Sequence, residues 1–137
     1  MKLIIKFSSI LVLLIMVVSC ATTQYTIPDK YNLDNELEAV DRIYAPSMTS
    51  WEEVDNQSII LKANVTDYYL LVLRRPMYTR ITDLSMGFSS TGSYITPRFD
   101  RIFLGDAAGP QYYCIDRIYK LKGKEQAREI RERLRES

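Results

Sequence analysis

Few side chains in this sequence can do chemistry, and one absence is informative. None of the 137 residues is a histidine, which removes the commonest general base and the commonest transition-metal ligand. Asp100, Asp106 and Asp116 lie close to glycine or arginine, at a spacing that names no paired-carboxylate mechanism. Aspartates so placed more often serve turns and ion pairs. No glycine-rich phosphate loop and no metal-spaced cluster occurs, so the sequence predicts a protein without catalytic activity, cofactor or metal. Binding chemistry remains open. Arg74, Arg75, Tyr78 and Arg80 form a basic-aromatic segment. Such a rim can hold a saccharide, a peptidoglycan fragment or another small anionic ligand by stacking and bidentate hydrogen bonds. The competing reading is that the tyrosines pave a thin sheet while the arginines pair with acidic residues.

The remaining reactive groups are the two cysteines, Cys20 and Cys114. Lys2 and Lys6 make a basic start, Ile10 to Val18 is unbroken apolar sequence, and the small Ser19 follows. That is the layout of a secretory signal. The uncharged run from Phe7 to Cys20 is short of the roughly 20 residues that span a hydrocarbon core. Val17-Val18-Ser19-Cys20 resembles the bacterial lipobox. The resemblance implies a diacylglyceryl group on the Cys20 thiol, cleavage ahead of Cys20, and acylation of the new amine. Cysteine suits this step because its thiolate is a strong nucleophile. With about 0.8 kcal/mol per buried CH₂, two or three acyl chains make a nearly irreversible anchor. Ala21 rather than aspartate follows the cysteine, which by the same resemblance implies the outer membrane, facing the periplasm. The competing readings are a plain signal with an incidental cysteine, or an uncleaved anchor.

Domain boundaries follow from this: a lipoprotein signal peptide at 1–19, a lipidated tether and short N-terminal segment at 20–40, and a single β-rich domain with a C-terminal helix at 41–137. Losing Lys2 and Lys6 reduces 18 cations to 16 against 17 anions, a balance that offers no field for nucleic acid. Eight acidic residues crowd Asp29 to Asp55, and ten basic residues against five acidic ones fill Asn56 to Lys124. The N-terminal part is expected to lie over the later part and neutralise it, with a polyanion site as the alternative.

The positioning elements are read from periodicity. Ala21 to Pro28 has no helical period and reads as tether. Leu33, Leu37 and Val40 recur near helical spacing. Ser58–Ala63, the Asn64–Asp67 turn and Tyr68–Leu73 read as a hairpin, and YYLLVL, which does not alternate, reads as a central strand covered on both faces. Arg74-Arg75-Pro76 ends it, and Met77 to Leu84 suggests a helical turn. Short strands at Ser93–Thr96 and Arg101–Leu104 precede a loop at Gly105–Pro110. Gln111–Leu121 is a long strand, with Ile115, Arg117, Tyr119 and Leu121 predicted on one face. Lys124–Glu136 reads as helix, with Ala127, Ile130 and Leu134 as its apolar stripe and Glu129–Arg133 and Arg128–Glu132 as supporting pairs. At about 13 residues it is marginal alone, so Ile130 and Leu134 must dock on the protein's own sheet or on a partner. The fold class is thus α+β, mainly β: a small antiparallel sheet of five to six strands curled into a roll or partial barrel, with a C-terminal helix.

Trp51-Glu-Glu-Val-Asp55, SIILKA, YYLLVL, Phe99-Asp-Arg-Ile102 and Cys114-Ile-Asp-Arg-Ile118 together resemble a family of small proteobacterial envelope proteins of unknown function, over about residues 41–121. Many members carry a lipoprotein leader. Members often place a second cysteine after the YLL strand, which would pair with the counterpart of Cys114; Pro76-Met77 stands there instead. With Cys20 lipidated, Cys114 has no partner in its own chain. Burial is expected to protect it, the alternatives being intermolecular pairing or a redox thiol near Arg117. Two functions are carried forward. One is a lipid-anchored envelope protein acting by protein–protein contact at the periplasmic face, through the sheet edge or through Ile130 and Leu134. The other is a small barrel binding a saccharide or anion at Arg74, Arg75, Tyr78 and Arg80.

Overall fold

The computed structural model describes residues 26–78, 85–89, 92–106 and 109–137. The signal at 1–19, Cys20, the first part of the tether, Arg80 and the rest of the suggested turn at 79–84 lie outside the described residues. The chain forms an antiparallel sheet curled into a half-barrel with one C-terminal helix. Its strands are β1 (Glu38–Ala39), β2 (Ile43–Tyr44), β3 (Met48–Asp55), β4 (Ser58–Ala63), β5 (Asp67–Leu73), β6 (Ser85–Phe88), β7 (Tyr94–Ile95), β8 (Arg101–Asp106) and β9 (Gly109–Leu121), and the helix is α1 (Lys124–Glu136). The main sheet runs β3-β4-β5-β9-β8-β6, with β1 added to β9; β2 and β7 pair separately.

The β5 strand is central and covered on both sides, as its unbroken apolar sequence requires. Leu70 and Val72 join one buried cluster with Ile60 of β4, while Leu71 and Leu73 join a second with Ile59 and Leu61. The first cluster is closed by Tyr31, Leu33 and Leu37 and by α1. The second is closed by Ile43 of β2, Ile95 of β7 and Met77.

The β9 strand departs from simple alternation. Val72 pairs with Arg117 but Leu73 pairs with Ile115, leaving Asp116 as an extra residue. A β-bulge shifts every side chain beyond it to the opposite face. Ile115 and Ile118 therefore share one cluster while Tyr119 and Leu121 share the other, which corrects the expected grouping of Ile115 with Tyr119 and Leu121. The extra carboxylate is held by its neighbour, with Arg117 Nε 2.8 Å from Asp116 Oδ2.

The spacing of Leu33, Leu37 and Val40 does not make an α-helix. A 3₁₀ turn at Asp29–Tyr31 leads to β1, where Glu38 and Ala39 pair with Lys120 and Tyr119. Leu33 N–H donates to the Tyr119 hydroxyl at 3.1 Å, and Tyr31, Leu33 and Leu37 are core residues. The chain thus joins the core ahead of residue 41, because the face of β9 exposed beyond the bulge needs cover.

Gly123 (φ 126°) turns the chain from β9 into α1, in a region L-residues avoid. Ala127, Ile130 and Leu134 are buried against β5 and the N-terminal segment. Burying the isoleucine and leucine contributes roughly 1.5–3 kcal/mol each, which stabilises a helix too short to persist alone. The ionic partners differ from those expected: Arg128 pairs with Glu125, Arg131 with Glu52 and Arg133 with Glu36. The acidic N-terminal part is neutralised largely by the arginines of α1. No helix among the described residues is long and apolar enough to cross a membrane.

Candidate functional site

The turn between β3 and β4 is built on a single carboxylate. Asp55 Oδ1 accepts from Gln57 N–H at 2.9 Å and from the Ser58 hydroxyl at 2.8 Å. Oδ2 accepts from the Tyr31 hydroxyl at 2.7 Å and Lys30 Nζ at 3.0 Å. Burial alone pushes an acid's pKa up, but these donors outweigh it and hold Asp55 below the usual carboxylate range. Burial, then the hydrogen bond to Asp55, push the Tyr31 phenol upward. Lys30 also donates to the Leu134 carbonyl at 3.2 Å. Arg135 donates to the Val54 and Glu53 carbonyls, both at 3.0 Å. These bonds lock the end of α1 to the end of β3. Beside them opens a cavity of about 820 Å³ whose lining includes Lys30, Asn56, Tyr78 and Arg135.

The predicted rim is only partly assembled. Arg74 N–H donates to the Cys114 carbonyl. Arg75 Nη2 donates to the Tyr112 carbonyl at 2.9 Å, and its guanidinium stands 5.1 Å from the Tyr113 ring centroid. Tyr78 N–H approaches the Tyr113 hydroxyl at 3.4 Å, and that hydroxyl donates to Gln111 Oε1 at 2.7 Å. Arg74, Arg75 and Tyr78 are exposed. None of their side chains ion-pairs, among the described residues, with the acidic 29–55 segment.

A loop absent from the sequence reading meets the same stretch of β9. Arg98 N–H donates to the Ile115 carbonyl at 2.7 Å, and Ile115 N–H donates to the Asp100 carbonyl at 3.2 Å. The buried end of the loop is pinned by Asp100 Oδ2, which accepts from Thr96 N–H at 2.7 Å. Arg98 is held at φ 71°, a conformation that a non-glycine residue keeps only when its surroundings impose it. At the tip, Phe99 is 83% exposed, and Tyr78 across the stretch is 79% exposed. Residues 112–115 of β9 are thus the hub around which Arg74, Arg75, Tyr78, Arg98, Phe99 and Tyr112 stand exposed. Aromatic and arginine side chains on a rigid frame are the residue types that dominate protein interfaces. The Pro97-Arg98-Phe99 tripeptide gave no signal for this, because exposure of Phe99 follows from the contacts of Arg98 and Asp100 with β9.

Two site expectations need correction. Ile130 and Leu134 are each only 2% exposed, since their stripe docks on the protein's own sheet, so neither offers a surface to a partner. Cys114 is half-buried rather than buried, because it lies where β9 passes from β8 to β5. Among the described residues no cluster of acids and cysteine could hold a metal ion.

The fold and this surface define a small, curled antiparallel sheet with a covering helix and an exposed arginine-aromatic hub. Residues 1–137, the whole chain, match the model of a family of unknown function (DUF6491), and the chain belongs to that family. No curated protein and no solved structure matches it.

Proposed function

We propose that this chain is a lipid-anchored envelope protein, attached through Cys20 to a membrane facing the periplasm, and that it acts without catalysis by contact with another protein. The supporting observation is the hub at residues 112–115 of β9, where exposed arginines and aromatics are held on a hydrogen-bonded frame. A rigid anchor loses little conformational entropy on binding. Its three arginines, Arg74, Arg75 and Arg98, fit an acidic partner surface.

The test has two parts. Mass spectrometry of the purified chain should find an N-terminal acylated Cys20; an uncut leader or a free thiol there refutes the anchor. A photo-crosslinking residue in place of Phe99, in intact cells, should yield a discrete protein adduct that is lost when Arg74 and Arg75 become glutamine. A glycan or lipid adduct alone would favour the second reading, a saccharide or small-anion site at Arg74, Arg75, Tyr78 and Arg80. Tyr78 on the wall of the 820 Å³ cavity speaks for that reading.

A further inference from the structure

A second cleft along α1 is used by neither reading. It lies between the first half of α1 and strands β3 to β5, has a volume of about 450 Å³, and is lined by Glu52, Lys62, Tyr68, Lys124, Arg128 and Arg131 among others. Lys124, Arg128 and Arg131 recur along one flank of the helix. Lys62 faces them from β4, opposite Tyr68 in register and 5.8 Å from its ring centroid.

The cations in this cleft are not balanced. Glu52 engages Arg131 at 2.8 Å, and Arg128 engages Glu125 at 2.6 Å in an exposed pair, a kind that contributes little. Lys62 and Lys124 have no carboxylate within 4.0 Å among the described residues. Lys124 also stands in the first turn of α1, where the positive end of the helix disfavours a cation. The Nε of Arg131 is buried and has no acceptor among the described residues. An unsatisfied buried donor costs about 1–3 kcal/mol. Cations from the helix and from β4, with an adjacent aromatic face, form one arrangement in a hollow of small-ligand size.

We propose that this cleft binds a small phosphorylated ligand. Lys62 and Lys124 hold the phosphate oxygens, Arg131 adds positive charge beside them, and Tyr68 supplies a stacking face for the ring of a sugar or other carrier. The phosphate is borne either by a soluble molecule or by a lipid headgroup.

Isothermal titration of the full chain in detergent micelles with inorganic pyrophosphate tests this. Saturable binding is expected, weakening as salt rises from roughly 50 to 200 mM. The Lys62→Gln/Lys124→Gln double variant should lose about tenfold in affinity at a melting temperature close to the parent's, since neither side chain has an ion-pair partner among the described residues. Arg42→Gln/Arg101→Gln, an equal charge change outside the cleft lining, should bind as the parent does. Micelles doped with phosphatidic acid, but not phosphatidylcholine, compete with pyrophosphate if the phosphate is lipid-borne; no competition assigns it to a soluble ligand, and either result supports the site. Absence of saturable binding, or an equal loss in Arg42→Gln/Arg101→Gln, overturns it.

Discussion

Asn at position 55 would test the β3–β4 turn most sharply, because Asp55→Asn preserves shape while removing one acceptor and the charge. Both carboxylate oxygens are doubly engaged: Oδ1 by Gln57 N–H and Ser58, Oδ2 by Tyr31 and Lys30. Whichever way the amide is turned, its NH₂ group accepts from neither neighbour: the hydroxyl there, of Ser58 or Tyr31, must turn to accept from it, and Gln57 N–H or Lys30 loses its acceptor. Hydrogen bonds to a charged group contribute about 1.5–3 kcal/mol each, so two lost bonds set an upper bound near 6 kcal/mol. Relief is available. Lys30 is part-exposed and keeps the Leu134 carbonyl, so the expected loss is about 2–4 kcal/mol at pH 7. Urea denaturation followed by circular dichroism measures it. The pH dependence supplies a second check. Asp55 titrates below its unfolded value, so its contribution is complete above an unfolded pKa of about 3.9 and is lost as pH falls through the folded pKa. The gap between parent and variant must therefore be constant from about pH 5 to 7 and narrow in more acid solution. A loss under about 1 kcal/mol, or a gap that widens on acidification, would refute the argument that this carboxylate organises the turn.

Ile130→Ala should cost about 2–5 kcal/mol in the same denaturation assay, since it opens a cavity between α1 and β5; an unchanged midpoint would mean that the helix docks elsewhere. Tyr31 titrates above its unfolded value of about 10. Above that pH the unfolded chain sheds a proton that the folded one keeps, so stability should fall as pH rises past about 10. The fall should be shallower in Tyr31→Phe, and parallel curves would sink the assignment.

The local elements of this protein can be read from its sequence. YYLLVL could only be a strand covered twice, SIILKA its hairpin partner, and Lys124–Glu136 a helix with an Ala127-Ile130-Leu134 stripe, because those periods are properties of neighbouring residues. The curled sheet follows from strands too short and too many to lie apart. What the stripe packs against is not a local property, and only the tertiary structure places Ile130 and Leu134 on the protein's own sheet. The same holds for the Leu33-Leu37-Val40 spacing, which suggests a helix in isolation but yields to β9 once one of its faces needs cover.

By itself, then, the sequence determined the strand-rich class, the terminal helix, the absence of histidine chemistry and the basic-aromatic segment at Arg74, Arg75 and Tyr78. The tertiary structure alone decided the bulge at Asp116 that shifts β9 to the other face, the exposure of Phe99, and the cleft that joins Lys62 to Lys124. The physical reason is range. Propensity and periodicity act within a few residues. Register, exposure and the meeting of like charges depend on segments far apart in the chain, and their energies exist only once those segments are packed together.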